Sequence, residues 1–76
     1  MKRVPSIPAS SPYTELFDGS REAFAFSTSA FRLADSLTPS GNNYTAVPAN
    51  VLWPLPIGKT VWARGESGTV TIEVSF

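Results

Sequence analysis

The chain has 76 residues and contains neither cysteine nor histidine, which excludes a disulfide framework, a thiolate metal site and histidine-based acid–base catalysis. Its six basic and six acidic residues are scattered and sum to zero net charge, so the basic footprint of a nucleic-acid-binding protein is missing. No apolar run approaches the roughly 20 residues of a membrane span, and no signal peptide is expected. A chain this short buries only about 60% of its unfolded surface, so we expect one domain that gains stability by association.

The first segment, Met1–Pro12, is rich in proline, serine and alanine. Proline fixes φ and keeps its neighbour extended, so the sequence predicts a stiff, polyproline-like N-terminal arm over residues 1–12 and a β domain over residues 13–76. Two interpretations of the arm stay open. It is either a disordered terminus or an extended arm that docks on a neighbouring subunit, with Ile7 as a contact residue.

The segment from Tyr13 to Phe17 predicts a short strand that ends before Gly19. Ser20–Leu37 fits two descriptions: a helix capped by Ser20, or two strands separated by Ser27-Thr28-Ser29. The aromatic residues and the central Ser-Thr-Ser favour the two strands. Turn chemistry in Thr38–Asn43 predicts a loop.

Two further short strands are expected in the second half of the chain. Tyr44–Val47 predicts a brief strand that ends at Pro48. Val51–Pro56 is apolar but interrupted by prolines, which suits an edge strand or an extended crossover. Short strands separated by turns predict an all-β fold, a small sandwich or barrel of antiparallel strands.

The last segment has the clearest pattern in the chain. Thr69–Phe76 alternates apolar and polar residues, the period of a half-buried strand. The four residues Gly65–Gly68 suit a turn, and Lys59–Arg64 suits a partner strand, so a β-hairpin is expected. In the register that this turn implies, the apolar face pairs Ala63 with Val70, Val61 with Ile72 and Ile57 with Phe76.

The same register places Trp62 opposite Thr71, on the polar face beside Arg64. Either the rest of the chain covers this face or a bulge shifts the register by one residue, or the tryptophan and the arginine anchor a protein interface. Trp53 lies between apolar and proline residues and raises the same question, as does the apolar Phe76. The predicted protein-interface residues are Trp62, Arg64, Trp53, Phe76 and Ile7.

The sequence offers little for catalysis. A serine nucleophile needs a base that no residue here supplies. Glu15, Asp18 and Glu22 are spaced like solvated loop charges and not like a glycosidase carboxylate pair. Gly65–Gly68 lacks the Lys-Ser/Thr and the helix of a phosphate loop. We expect a protein that is not an enzyme and has no cofactor and no metal site.

Over about residues 30–76 the chain resembles the small virion structural proteins of tailed bacteriophages. These proteins similarly combine a polar strand, a Pro-Ala crossover and a Gly-Thr-Val-Thr closing strand. The segments that carry the resemblance are Phe31-Arg32-Leu33-Ala34, Tyr44-Thr45-Ala46-Val47-Pro48-Ala49, Pro56-Ile57-Gly58-Lys59-Thr60-Val61-Trp62-Ala63 and Ser67-Gly68-Thr69-Val70-Thr71-Ile72.

The resemblance implies a β-sandwich subunit of a virion that is made in the host cytoplasm. Such a subunit would bind the major capsid protein or other virion proteins as a decoration (cement) or minor capsid protein, with a homotrimer favoured and no nucleic-acid or membrane partner. A neck or tail component is an alternative. A carbohydrate- or receptor-binding module, with Trp53, Trp62 or Tyr44 stacking on sugar, and an accessory subunit of a cellular complex are others.

Overall fold

The computed structural model describes residues 1–10 and 12–76, and in these residues all regular structure is antiparallel β. Eight strands follow one another along the chain: β1 (Lys2–Ile7), β2 (Thr14–Phe17), β3 (Ala23–Phe26), β4 (Phe31–Ala34), β5 (Thr45–Val47), β6 (Trp53–Leu55), β7 (Val61–Gly65) and β8 (Val70–Ser75). They form two four-stranded sheets. Sheet I has the order β1-β8-β3-β6, and sheet II has the order β2-β7-β4-β5.

The two sheets enclose one hydrophobic core, which confirms the predicted all-β fold. Alternation along the strands selects the residues that point inward. In β8 these are Val70, Ile72 and Val74, and in β7 they are Val61 and Ala63, all of them buried. The largest fully buried side chains are Phe31, Ile7, Leu16, Ile72, Val47 and Val74.

The prediction of a hairpin between β7 and β8 is wrong. β7 pairs with β2 and β4 in sheet II, whereas β8 pairs with β1 and β3 in sheet I. Val61 and Ile72 are therefore not cross-strand neighbours, and both contribute to the core from opposite sheets. Trp62 likewise lies opposite Glu15 and Ala34 and not opposite Thr71.

The segment from Gly65 to Gly68 carries the chain from one sheet to the other. The backbone N–H of Gly65 donates to the Pro8 carbonyl at 3.0 Å, and the N–H of Glu66 donates to the Ala30 carbonyl at 3.2 Å. A Cβ at position 65 would collide with the Gly68 carbonyl oxygen. This tight crossing therefore requires glycine at position 65.

The N-terminal residues form a strand, which corrects the expectation of an arm separate from the folded domain. β1 pairs with β8, with Arg3 opposite Glu73 and Val4 opposite Ile72. Pro5 is compatible with this pairing because β1 is an edge strand, where a missing N–H faces solvent. Ile7 is only 1% exposed and packs in the core, so the sandwich starts at the first strand.

Ser20–Leu37 contains β3 and β4, so the helix alternative is wrong and the two-strand alternative is confirmed. β6 is one of the two outer strands of sheet I, so the edge-strand alternative for Val51–Pro56 is confirmed. Residues 38–43 contain no strand or helix, as the turn chemistry predicted.

Each of the four outer strands has a feature that discourages the addition of another strand. β1 contains Pro5 and β6 contains Pro54, and a proline lacks the N–H that an added strand would need. β2 is irregular between Glu15 and Phe17, and β5 has three residues and is followed by Pro48. The exposed faces and the loops are therefore the surfaces suited to contact with other molecules.

Candidate binding surfaces

The outer face of sheet I is apolar along β3 and β6. Ala23 and Ala25 are buried, so the alternate residue Phe24 points outward, where it is 38% exposed. It lies opposite the exposed Pro54 of β6 on one side and opposite Ser75 of β8 on the other. On the same face, β8 presents Glu73 outward.

Two more exposed apolar side chains lie at the ends of β6. Leu52 precedes the strand and is 61% exposed, and Ile57 follows it and is 66% exposed. We call Phe24, Leu52, Pro54 and Ile57 the apolar strip. The exposure of these side chains makes the strip a candidate surface for contact with another molecule.

Phe76 and Ile7, two of the predicted interface residues, are partly or wholly covered by the chain itself. The Phe76 ring stacks on Phe17 with a centroid separation of 5.4 Å and an interplanar angle of 24°. The Arg21 guanidinium lies 5.2 Å from the centroid of the same ring, which leaves Phe76 48% exposed. Ile7 is buried in the core, so its assignment as a contact residue for a neighbouring subunit is wrong.

Trp62 and Arg64 alternate with the buried residues of β7 and are half-buried on the other side of sheet II. Arg64 lies opposite Arg32 of β4. Its guanidinium is 6.0 Å from the centroid of the buried Tyr13 ring, and its buried Nε has no hydrogen-bond partner in the part of the chain that the structure describes. These two residues are on the outer face, as the alternation predicted, although their neighbouring strands are different.

Arg32 is held by a two-point ion pair. Its Nε donates to Glu66 Oε2 and its Nη2 donates to Glu66 Oε1, both at 2.9 Å. This hydrogen bonding and the opposite charge raise the pKa of Arg32 and lower the pKa of Glu66 below its usual value. The Arg32 guanidinium also lies 4.4 Å from the centroid of the Tyr44 ring. The ion pair therefore places a cation against Tyr44.

A cleft of about 570 Å³ opens between β6 of sheet I and the strands β4 and β5 of sheet II. Its wall includes Trp53 from one sheet and Tyr44, which directly precedes β5, from the other. Trp53 is half-buried and packs against the core. The residues that line the cleft are Leu33, Ala34, Asp35, Asn42, Asn43, Tyr44, Thr45, Trp53, Pro54, Pro56, Lys59 and Val61.

The sequence named Trp53, Tyr44 and Trp62 as possible sugar-stacking residues, and the structure brings the first two together. Trp62 is not among the residues that line the cleft. The polar lining residues Asn42 and Lys59 were not predicted, because isolated polar residues in loops have no sequence pattern. The apolar strip was missed for a related reason, since its members come from separate segments.

Residues 1–10 and 12–76 contain no group of three or more acidic side chains placed to hold a metal ion. Within the same residues, no helix has the length and apolar character needed to cross a membrane. Comparison with protein-family models, with curated proteins and with solved structures found no match to this chain.

Proposed function

We propose that this protein is a non-enzymatic structural subunit that attaches to other proteins of a larger assembly through the apolar strip. The assembly we infer is a tailed-phage particle, in which the chain would serve as a decoration or minor capsid protein. The observation that carries the proposal is the exposure of Phe24, which lies opposite Pro54, together with the exposure of Leu52 and Ile57 at the two ends of β6.

Burial of these side chains would supply the binding free energy. Fully burying a leucine, isoleucine or phenylalanine side chain is worth roughly 1.5–3 kcal/mol relative to leaving it exposed. Part of that surface is already covered in the free chain, and association has its own entropy cost, so one copy would bind weakly. On a symmetric particle, repeated contacts among linked sites would strengthen the attachment.

Charge and edge geometry favour a protein partner that meets the face of the sheet. The net charge of zero gives no attraction to the phosphates of nucleic acid. The prolines of β1 and β6 disfavour a partner strand at either edge of sheet I. The resemblance of residues 30–76 to small phage virion proteins supports the choice of a phage particle, and it implies a trimer.

Quantitative mass spectrometry of gradient-purified particles from cells that encode the chain tests this proposal. We expect the chain in the particles at many copies each. Substitution of Phe24→Ser together with Leu52→Ser should greatly reduce that copy number while the purified variant still melts cooperatively. Leu37→Ser is the matched control, because Leu37 is an exposed apolar residue in the loop after β4 and outside the strip.

Absence of the wild-type chain from purified particles would contradict a virion role. Equal incorporation of the double variant and the wild type would contradict the role of the apolar strip.

A further inference from the structure

The cleft between the open edges of the two sheets has the size of a small-molecule site. Its volume of about 570 Å³ lies within the roughly 300–1,000 Å³ that such sites span. Like those sites, it combines apolar walls, from Leu33 and Val61, with a few polar groups. It is separate from Phe24, Leu52 and Ile57, and Pro54 alone borders both surfaces.

Two aromatic side chains are fixed in the wall of this cleft before any ligand arrives. Trp53 lies opposite Ala25 in sheet I and packs against the core. Tyr44 has the Arg32 guanidinium against its ring, and Arg32 is held in turn by Glu66. Because Trp53 packs against the core and the Tyr44 ring contacts the Arg32 guanidinium, ordering the two rings would cost a ligand little free energy.

The polar lining is balanced in charge and rich in hydrogen-bonding groups. Asp35 and Lys59 contribute one charge of each sign, and Asn42 and Asn43 contribute amides. The Asn43 N–H donates to the Ser40 carbonyl at 3.1 Å, and the Tyr44 N–H donates to the Asn42 carbonyl at 2.8 Å. These bonds shape the loop locally and leave the Asn42 amide side chain available to a ligand.

We propose that this cleft binds an uncharged saccharide. A sugar ring has an apolar face that suits an aromatic side chain and a rim of hydroxyl groups that suits amides and a carboxylate. In this arrangement the sugar packs against both Trp53 and Tyr44, and its hydroxyls bond to Asn42, Asn43 and Asp35. A phosphate ligand is disfavoured, because Asp35 offsets the charge of Lys59. The proposal does not rest on the proposed attachment to an assembly, although Pro54 belongs to both surfaces.

The test uses the purified full chain, a glycan array and calorimetric titration with the uncharged oligosaccharides that bind best. We expect saturable binding that falls about tenfold or more in Trp53→Ala and in Tyr44→Ala. Trp62→Ala is the matched control, because it removes the other tryptophan from outside the cleft and should leave the affinity unchanged. Asn42→Ala alters an exposed loop residue and should weaken binding without loss of the fold, so the proposal stays testable if Trp53→Ala fails to fold.

Three results would overturn the proposal. They are the absence of any uncharged glycan that binds, selective binding of anionic glycans or peptides in their place, and binding that depends on Trp62 but not on Tyr44 or Asn42.

Discussion

Arg32 and Arg64 lie directly opposite each other in the neighbouring strands β4 and β7. Like charges in this arrangement repel. Glu66 pairs with Arg32 at two points and also lies near enough to Arg64 for that charge to help lower the pKa of the carboxyl. One carboxylate thus offsets the repulsion between two guanidinium groups.

We expect Glu66→Gln to lower the melting temperature near neutral pH, because it removes the charge that offsets this repulsion. The pKa of Glu66 is lowered in the folded protein, so its stabilising contribution is present above its ordinary pKa of 4.5 and is lost as the pH falls through the lowered value. Urea unfolding from about pH 7 to about pH 3 should therefore show a smaller decline for the variant than for the wild type.

Asp18, whose pKa is lowered by hydrogen bonds from Ser20, contributes to the same acid decline. The Asp18→Asn variant should lose only the Asp18 contribution, so its free energy of unfolding should still fall with pH as Glu66 becomes protonated. Equal pH dependence of the wild type and Glu66→Gln would contradict the stabilising role assigned to the ion pair.

Deletion of residues 1–8 should unfold the domain or leave it strongly destabilised, because it removes β1 from β8 and Ile7 from the core. Ile7→Ala alone should cost roughly 2–5 kcal/mol in the free energy of unfolding, as expected for a fully buried aliphatic side chain. Lys2→Ala changes an exposed residue of the same strand and should stay within about 0.5 kcal/mol of the wild type. Urea titration monitored by tryptophan fluorescence measures all three. A deletion variant as stable as the wild type would contradict this role of β1 and would support a detached N-terminal arm.

Two glycines with positive φ allow backbone strain to be separated from a steric clash. Gly19 has φ +73°, and a Cβ there would collide with the backbone of Lys59, whereas Gly41 has φ +59° and open space around it. Gly41→Ala should cost roughly 1–2 kcal/mol for the left-handed conformation alone. Gly19→Ala should cost clearly more, because the Gly58 N–H also donates to the Gly19 carbonyl at 2.8 Å and holds the two turns together. Equal losses of unfolding free energy in the two variants would contradict this, because they would mean that the turns at Gly19 and Gly58 move apart to accommodate the added Cβ.

In the absence of other particle proteins, we predict that the purified chain self-associates through the apolar strip, as the trimer that the resemblance to phage proteins implies, because a small domain gains stability by covering such a surface. Sedimentation velocity over a wide range of concentrations measures this directly. Phe24→Ser with Leu52→Ser should shift the population toward the monomer, and Leu37→Ser should not. A monomer at every concentration would contradict self-association.

Alternation in the sequence was enough to predict which residues of β7 and β8 face inward, but not which strands they pair with. The Gly65–Gly68 segment has the composition of a hairpin turn, yet it links two sheets, because Pro8 and Ala30 accept its backbone hydrogen bonds. Those partners are distant in sequence and leave no local pattern. The composition of Gly65–Gly68 is therefore consistent with a hairpin turn within one sheet and equally with a link between two sheets.

The prolines near the N-terminus were misleading for a different reason. Proline disfavours a central strand but is accepted at an edge, and only the sheet order shows that β1 is an edge strand. The cleft was equally beyond local reasoning. Trp53 and Tyr44 were each noticed in the sequence, but their meeting depends on how two sheets pack face to face.

Site-specific photo-crosslinking within purified particles tests the central claim most directly. A photo-reactive phenylalanine analogue replaces Leu52 in one variant and Leu37 in a control variant. We predict a defined crosslink from position 52 to a single particle protein and little or none from position 37. Crosslinks from position 37 with none from position 52, or no crosslink from either, would contradict attachment through the apolar strip.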